Sequence, residues 1–190
     1  MPLNIPNLLT WLRILLIPVF AAVFYLQVGW LQPQWVNFTA TLIFAVAAVT
    51  DWLDGYLARA LNQTSAFGAF IDPVADKLMV AAALIILVQL KRVDALIALI
   101  IVGREITISA LREWMAEIGQ RKSVAVSFVG KLKTMAQMIA ILLLLYHDRV
   151  LGVVDAHRIG TWLIYVAAVL TLWSMAYYLR KALSQDAVRG

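Results

Sequence analysis

Long apolar runs, separated by short polar stretches, divide the chain into six segments. The pattern predicts helices over residues 6–31, 35–61, 67–90, 94–118, 124–146 and 158–183. A helix needs roughly 20 residues to cross a hydrocarbon core about 30 Å thick, and each segment is long enough. The connections are short, and no linker or repeat interrupts them. The sequence therefore predicts an all-α integral membrane protein, a six-transmembrane-helix bundle in a single domain over residues 1–190.

The composition supports a lipid surrounding. Of the 190 residues 63% are hydrophobic and 14% are charged, which is too apolar for an ordinary soluble domain. The chain has no cysteine, which excludes disulfides, a thiolate nucleophile and cysteine-bound zinc. A net charge of +5 would suit nucleic acid, but in a membrane protein it is more typical of basic residues at the cytoplasmic face. We expect no nucleic-acid partner.

The basic residues also predict an orientation. Six spans place both termini on one side of the membrane. Of the 16 lysines and arginines, only four fall on the other side: Lys91, Arg92, Arg149 and Arg158. Because positive residues concentrate in the cytoplasm, both termini are expected there, together with the connection between the second and third helices.

Four aspartates flank that connection, in "DWLDGYLARALNQTSAFGAFIDPVADK". Asp51 and Asp54 share one helix face, and Asp72 and Asp76 share another, because their spacings are close to one turn. The second helix would be about 40 Å long, which exceeds the hydrocarbon thickness. The aspartates are therefore expected at the cytoplasmic interface rather than at mid-bilayer.

Four converging carboxylates need a counter-charge. Two unit charges about 4 Å apart repel by about 4 kcal/mol at an effective dielectric constant near 20. Oxygen ligands without histidine or cysteine favour hard cations, so we predict Mg²⁺ or Mn²⁺, with two ions balancing four charges as in a two-metal phosphoryl site. The predicted ligands are Asp51, Asp54, Asp72 and Asp76. The alternative is a solvated interfacial cluster paired with Arg59 and Lys77.

Glycine and proline add to this picture. Gly55 and Gly68 allow a ligand, or equally a neighbouring helix, to approach the backbone closely. Pro73 is typical of a first helical turn, which would place Asp72 close to the N-cap of the third helix.

The motif Asp51-x-x-Asp54-Gly55-x-x-Ala58-Arg59, followed after residues 60–67 by Gly68-x-x-x-Asp72-x-x-x-Asp76, resembles the complete signature of the CDP-alcohol phosphatidyltransferases. The resemblance implies six spans, a cytoplasm-facing site, two divalent ions and a homodimer. It also implies that an alcohol attacks the lipid-side phosphorus of a CDP-lipid and expels CMP. By position, Asp76 would be both metal ligand and general base.

The N-terminal segment "NIPNLLTWLR" carries a polar stripe, Asn4, Asn7, Thr10 and Arg13, on an apolar helix. Such a stripe is also typical of an amphipathic interfacial helix. Asn7, Thr10 and Arg13 resemble a pattern that the family has near its nucleotide site. The CDP-lipid-binding residues implied by the resemblance are Asn7, Thr10, Arg13, Asp51, Gly55, Ala58, Arg59 and Gly68.

A second basic group indicates an anionic acceptor. Arg104 lies inside "LIALIIVGREITISALREW", where a charge is costly without a partner. Together with Arg112, Lys131 and Lys133 it could bind a dianionic phosphate, although Lys131 and Lys133 point to opposite faces of a regular helix. The alternative for Arg104 is an internal ion pair.

The stretches "GREITISALREWMAEIG" and "SVAVSFVGKLKTMAQM" resemble the bacterial branch of the family that makes phosphatidylglycerophosphate. This resemblance implies CDP-diacylglycerol as donor, sn-glycerol 3-phosphate as acceptor and the bacterial inner membrane as location. Three alternatives remain: another acceptor such as serine, inositol phosphate or phosphatidylglycerol, a cation transporter, and a prenyltransferase. The only histidines, His147 and His157, are expected on the far side as solvated loop residues.

Overall fold

The computed structural model describes residues 5–25, 32–60, 66–117, 128–150 and 154–186. Six α-helices and one short β-hairpin lie within these ranges. The helices are α1 (Ile5–Tyr25), α2 (Pro33–Ala60), α3 (Ala66–Gln89), α4 (Ala95–Glu117), α5 (Phe128–Tyr146) and α6 (Ala156–Asp186). The strands are β1 (Arg149–Val150) and β2 (Val154–Asp155). The six predicted helices are thus all present, in the predicted order.

Three of these helices are long and apolar enough to cross a membrane, over Leu8–Tyr25, Pro33–Asp54 and Ala156–Arg180. The apolar part of α5, Leu132–Tyr146, is shorter. Both α3 and α4 are long, but charged residues interrupt their apolar runs. The chain is therefore a helical membrane protein.

The connection between α5 and α6 contains a short β-hairpin that the sequence did not predict, within a fold that is otherwise all-α as predicted. β1 and β2 are antiparallel, with Arg149 opposite Asp155 and Val150 opposite Val154. Strands of two residues are too short to produce an alternating pattern in the sequence, so this segment has the sequence character of a plain loop.

The helices pack as an up-and-down bundle around a main apolar core, and a smaller apolar cluster joins α4 to α6. α1 packs against α2 and α3, α5 against α2 and α6, and α4 against α3 and α6. Fully buried side chains from four helices meet at its centre, namely Phe20, Phe44, Leu84, Leu87, Ile141 and Leu144. A Cβ on Gly160 would lie 2.8 Å from Cγ of Leu144, so this glycine is required for the close approach of α5 and α6.

Two ends of the bundle differ in chemistry. The acidic end contains the last turns of α2, the first turns of α3 and the N-terminal half of α1. The hairpin end contains the connection between α3 and α4, the end of α5 and the β-hairpin. Because successive helices alternate in direction, all four signature aspartates lie toward the acidic end, and Lys91, Arg92, Arg149 and Arg158 lie at the hairpin end.

Arg92 joins three elements at the hairpin end. Its Nη1 donates hydrogen bonds to the carbonyl oxygens of Leu144 (3.0 Å) and Leu145 (2.9 Å), at the end of α5. Its Nη2 donates to Oδ1 of Asn37 on α2, at 2.8 Å. The last carbonyls of a helix have no partner inside the helix, and a cation there also compensates the helix dipole.

α3 ends in a Schellman motif just before Arg92. The N–H of Arg92 donates to the carbonyl of Leu87, and the N–H of Lys91 donates to that of Val88, both at 2.9 Å. Lys91 has a φ of 57°, the left-handed region that glycine normally occupies.

The two histidines lie at the hairpin end as predicted, but they pack against each other and are only partly exposed to solvent. Their rings contact each other edge to face, with centroids 4.8 Å apart. Both are half-buried, and the Nδ1 atom of each is buried. Burial, with the nearby Arg92 guanidinium, lowers the pKa of His147 below its usual range.

The predicted position of Asp72 near an N-cap is wrong. α3 begins at Ala66, so Asp72 and Pro73 lie inside the helix. A proline removes one helical hydrogen bond, which helices in membrane bundles tolerate because neighbouring helices and side chains bond the released groups.

Candidate active site

The polar stripe of α1 lies against the signature aspartates. Nη1 of Arg13 is 2.7 Å from Oδ1 of Asp51, and its Nη2 donates a hydrogen bond to Oδ2 of Asp54. One turn earlier, Oγ1 of Thr10 donates to Oδ1 of Asp72. The α1 stripe is therefore bound to three of the four acids.

Burial explains the strength of this pairing. The Arg13 side chain is 1% exposed, and a guanidinium in apolar surroundings needs charged partners. Asp54 is also buried, whereas the side chain of Asp51 is 43% exposed. The predicted sharing of one face by Asp51 and Asp54 is confirmed, since one guanidinium reaches both.

Asp51 also faces a cavity of about 460 Å³ that lies among α2, α3, α4 and α5. Polar side chains from all four helices line it, namely Asp51, Asp76, Lys77, Glu105, Thr134 and Gln137. The cavity brings Asp76 onto the same surface as Asp51, as the sequence predicted. The rest of the lining is apolar and includes Trp52 and Val80.

The second basic group converges on Glu105. Lys133, 1% exposed, donates a hydrogen bond to Oε1 of Glu105, and Nη1 of Arg104 lies 3.4 Å from the same oxygen. Nη2 of Arg104 also donates to Oγ of Ser174 on α6, at 3.3 Å. Arg104 therefore has an internal ion pair, as in the alternative to a phosphate site, but its partner is the adjacent Glu105 and not one of the aspartates. We call Arg104, Glu105 and Lys133 the basic cluster.

Arg112 lies about two turns further along α4 and is exposed, outside the basic cluster. Gly68 is buried. Some predicted site residues lie outside the described side chains, and the structure neither places nor excludes them: Asn7, Gly55, Ala58, Arg59 and Lys131. Asn4 lies outside the described residues altogether.

The acidic end has the donor chemistry of a hard-cation site. Its ligand atoms are carboxylate oxygens, and the Arg13 guanidinium already lies between Asp51 and Asp54, so positive charge is stabilised there. Among the described residues, no group of three or more His, Asp or Glu side chains is close enough to hold one metal ion. The chemistry of the acids fits divalent cations, and in the structure Arg13 provides the counter-charge.

Four polar residues of the cavity were not assigned a site role from the sequence: Lys77, Glu105, Thr134 and Gln137. Two of them carried a signal. Glu105 is an acid inside an apolar run next to Arg104, and Gln137 is a lone amide one turn after Lys133 on the same face of α5.

The fold and the cavity define a helical membrane protein with a polar site at one end of its bundle. The chain belongs to the CDP-alcohol phosphatidyltransferase family, whose model matches residues 3–173. Similar curated proteins include the CDP-diacylglycerol–glycerol-3-phosphate 3-phosphatidyltransferases of Shigella flexneri serotype 5b (strain 8401) and Escherichia coli (strain K12). Each is 53% identical over 184 residues, which cover 96% of both chains.

Proposed function

We propose that this chain transfers the phosphatidyl group of CDP-diacylglycerol to sn-glycerol 3-phosphate, giving phosphatidylglycerophosphate and CMP. The names of the two relatives support this activity at 53% identity. The structural observation that carries it is the cavity, because Asp51 and Asp76 line it together with Glu105 of the basic cluster.

We assign Asp76 as the general base that takes the proton of the attacking terminal hydroxyl, and the oxygen that loses it attacks the lipid-side phosphorus. The side chains of Asp51, Asp54, Asp72 and Asp76 would hold two divalent cations, Mg²⁺ or Mn²⁺. These ions would supply charge neutralisation at the pyrophosphate, the main requirement of phosphoryl transfer. The salt bridges of Arg13 with Asp51 and Asp54 support this assignment, because they put a positive charge beside these two carboxylates.

The acceptor phosphate would bind the basic cluster. Lys133 and Arg104 are already paired with Glu105, so a dianionic phosphate would compete with an existing carboxylate for them. Arg112 and Lys131 would complete the acceptor site from the outside. This arrangement favours a phosphorylated alcohol over serine, which has no phosphate to offer these cations.

The CDP part of the donor would lie along the α1 stripe. Thr10 and Arg13 contact three of the aspartates there, and Asn7 precedes them by one turn. Gly55, Ala58, Arg59 and Gly68 would border the same place at the facing ends of α2 and α3. We propose that the Arg13 guanidinium turns from its aspartates to the nucleotide phosphates when the donor binds.

We further propose six spans in a bacterial inner membrane, with the acidic end in the cytoplasm. Aromatic pairs mark two levels on α2, Trp35 with Phe38 and Trp52 with Tyr56. Trp35 and Trp52 are separated by about 26 Å of helix, close to the thickness of a hydrocarbon core, as expected for two interfacial belts.

The absence of cysteine makes this topology directly testable. Single cysteines at Ala60 and Asp148 would be labelled with a membrane-impermeant maleimide. Labelling of Asp148→Cys in intact spheroplasts and of Ala60→Cys only after permeabilisation is expected. The reverse pattern would invert the orientation.

We also propose a homodimer, as the family resemblance implies. The exposed apolar helix faces of a membrane protein can be covered by lipid or by a second copy. Measuring the protein mass per nanodisc distinguishes a lipid-covered monomer from a dimer, since a dimer has twice the protein mass of a monomer.

The activity itself is tested with purified protein, CDP-diacylglycerol and each alcohol in turn. CMP release that requires glycerol 3-phosphate and a divalent cation is expected, and a chelator should stop it. Efficient use of serine in place of glycerol 3-phosphate would contradict the acceptor assignment. Uptake of metal into liposomes without any CDP-lipid would instead favour a transporter.

A further inference from the structure

Gln137 is a buried polar residue of the cavity that belongs neither to the signature acids nor to the basic cluster. Its side chain lines the cavity that Asp51 and Asp76 share. It is 3% exposed, and its Oε1 has no hydrogen-bond partner within the described part of the protein. A buried amide with an unpaired atom costs free energy in the absence of a ligand, so a retained one indicates a group that arrives with the substrate.

The position of Gln137 suggests which part of the substrate it meets. It lies one turn after Lys133 on the same face of α5, and residues so spaced have Cβ atoms about 5–6 Å apart. Lys133 donates a hydrogen bond to Glu105. Glu105 and Asp76 both line the same cavity as Gln137. The amide is therefore a neutral group in a cavity that is also lined by the proposed general base, Asp76, and by Glu105 of the basic cluster.

The chemistry of glycerol 3-phosphate fits such a neutral group. Its central carbon carries a hydroxyl and stands between the phosphate-bearing carbon and the carbon whose hydroxyl reacts. With the phosphate at Lys133 and the reacting hydroxyl at Asp76, the central hydroxyl faces the remaining wall of the cavity. A hydroxyl both donates and accepts hydrogen bonds, so it can bind either end of a glutamine amide.

We propose that Gln137 hydrogen-bonds the 2-hydroxyl of the acceptor and makes the enzyme selective for glycerol 3-phosphate over phosphorylated alcohols without that hydroxyl. The inference rests on the proposed function and names a specificity residue within it. The selectivity follows from the unpaired amide. An acceptor that lacks the 2-hydroxyl leaves the amide of Gln137 without a hydrogen-bond partner when the acceptor is bound.

A purely structural role for Gln137 makes a different prediction. A side chain that only joins α5 to its neighbours would, when replaced, lower the rate with every acceptor equally. A side chain that binds the 2-hydroxyl would lower the rate only with acceptors that carry it. The ratio of two acceptors measured on one preparation therefore separates the roles, and the fraction of folded enzyme cancels from the ratio.

The experiment compares sn-glycerol 3-phosphate with 3-hydroxypropyl phosphate, which is the same molecule without the 2-hydroxyl. For the unmodified protein we expect kcat/KM to be about tenfold higher or more with glycerol 3-phosphate, the size expected for one buried hydrogen bond. Gln137→Leu keeps the volume and removes the amide, and it should bring the ratio close to one.

Thr171→Val is the matched control. Thr171 is fully buried on α6, its Oγ1 also has no hydrogen-bond partner in the described ranges, and it does not line the cavity. Its replacement should leave the acceptor ratio unchanged. An unmodified protein that uses both acceptors equally, or a Gln137→Leu variant that keeps the full ratio, would overturn the inference but not the proposed function. Complete failure to use glycerol 3-phosphate, with transfer to another alcohol, would overturn both.

Discussion

The two ends of the bundle use arginine in different ways. At the acidic end, Arg13 pairs with the side chains of Asp51 and Asp54, and Asp51 also faces a cavity. At the hairpin end, Arg92 binds two main-chain carbonyls and the side chain of Asn37. Side-chain carboxylates beside a cavity can exchange one cation for another, whereas the last carbonyls of a helix have no hydrogen-bond partner inside their own helix.

This difference gives each end a distinct expected role. Substitutions at the acidic end should act mainly on the rate of phosphatidyl transfer. A substrate or a metal ion can replace the ion-pair partners of the charged side chains at this end. Substitutions at the hairpin end should act on stability alone, because its hydrogen bonds join α2, α5 and the end of α3 permanently. The following variants test this separation, from the largest expected effect to the smallest.

Asp76→Asn should lower kcat by about 10³-fold or more, because it removes the proposed general base and a proposed metal ligand together. CMP release is the measurement. Asp94→Asn is the matched control at the hairpin end, where Oδ1 of Asp94 accepts a hydrogen bond from the N–H of Leu96 at the start of α4. Asparagine caps helices equally well, so this control should change neither rate nor stability. Normal turnover by Asp76→Asn would remove the base from the mechanism.

Arg13→Met should lower kcat/KM for CDP-diacylglycerol by about 10²-fold. It should also destabilise the protein by about 3 kcal/mol, because Asp51 and Asp54 lose their buried counter-charge. Added Mg²⁺ or Mn²⁺ should restore much of that stability in thermal unfolding, since a divalent cation can replace the guanidinium. A melting temperature insensitive to both metals would argue against cation binding by this aspartate pair.

Arg92→Met should destabilise the protein by about 3 kcal/mol, since it leaves two carbonyls and Asn37 without their donor. Thermal unfolding measures the loss. The kcat/KM of the protein that remains folded should be unchanged. A selective loss of acceptor or donor affinity in this variant would show that the two ends are coupled, and the proposed separation would fail.

Lys133→Met should raise KM for glycerol 3-phosphate about tenfold, the size of one lost charge-assisted hydrogen bond, and leave KM for CDP-diacylglycerol unchanged. Initial rates at varied acceptor and donor concentrations measure both constants. Lys91→Met removes a lysine at the hairpin end and should alter neither constant. Equal changes in both constants for Lys133→Met would indicate a general packing role.

Lys91→Gly should stabilise the protein by about 1 kcal/mol, because glycine adopts the left-handed conformation at the end of α3 without the strain of a Cβ. A small rise in melting temperature with unchanged kcat is the expected result. A fall in melting temperature would mean that the lysine side chain itself contributes at this turn.

The local periodicity of the sequence explains why the helices and the shared face of two aspartates could be predicted. The order of the six helices follows from apolar runs about as long as a membrane span, and the pairing of Asp51 with Asp54 follows from their spacing within one turn. Errors arose where local rules compete. Pro73 was assigned to a first turn because that is its usual place, and the β-hairpin was missed because two residues carry no periodic signal.

By itself, the sequence determined the helical membrane architecture and the family, because both depend on residues close together in the chain or at fixed spacing. Only the tertiary structure decided which polar and charged side chains pair with each other across helices. Arg13 and Asp54 are 41 positions apart, Glu105 and Lys133 are 28 apart, and Asn37 and Arg92 are 55 apart. Helical periodicity fixes which face a side chain occupies, but only the packing of the helices fixes which face lies opposite.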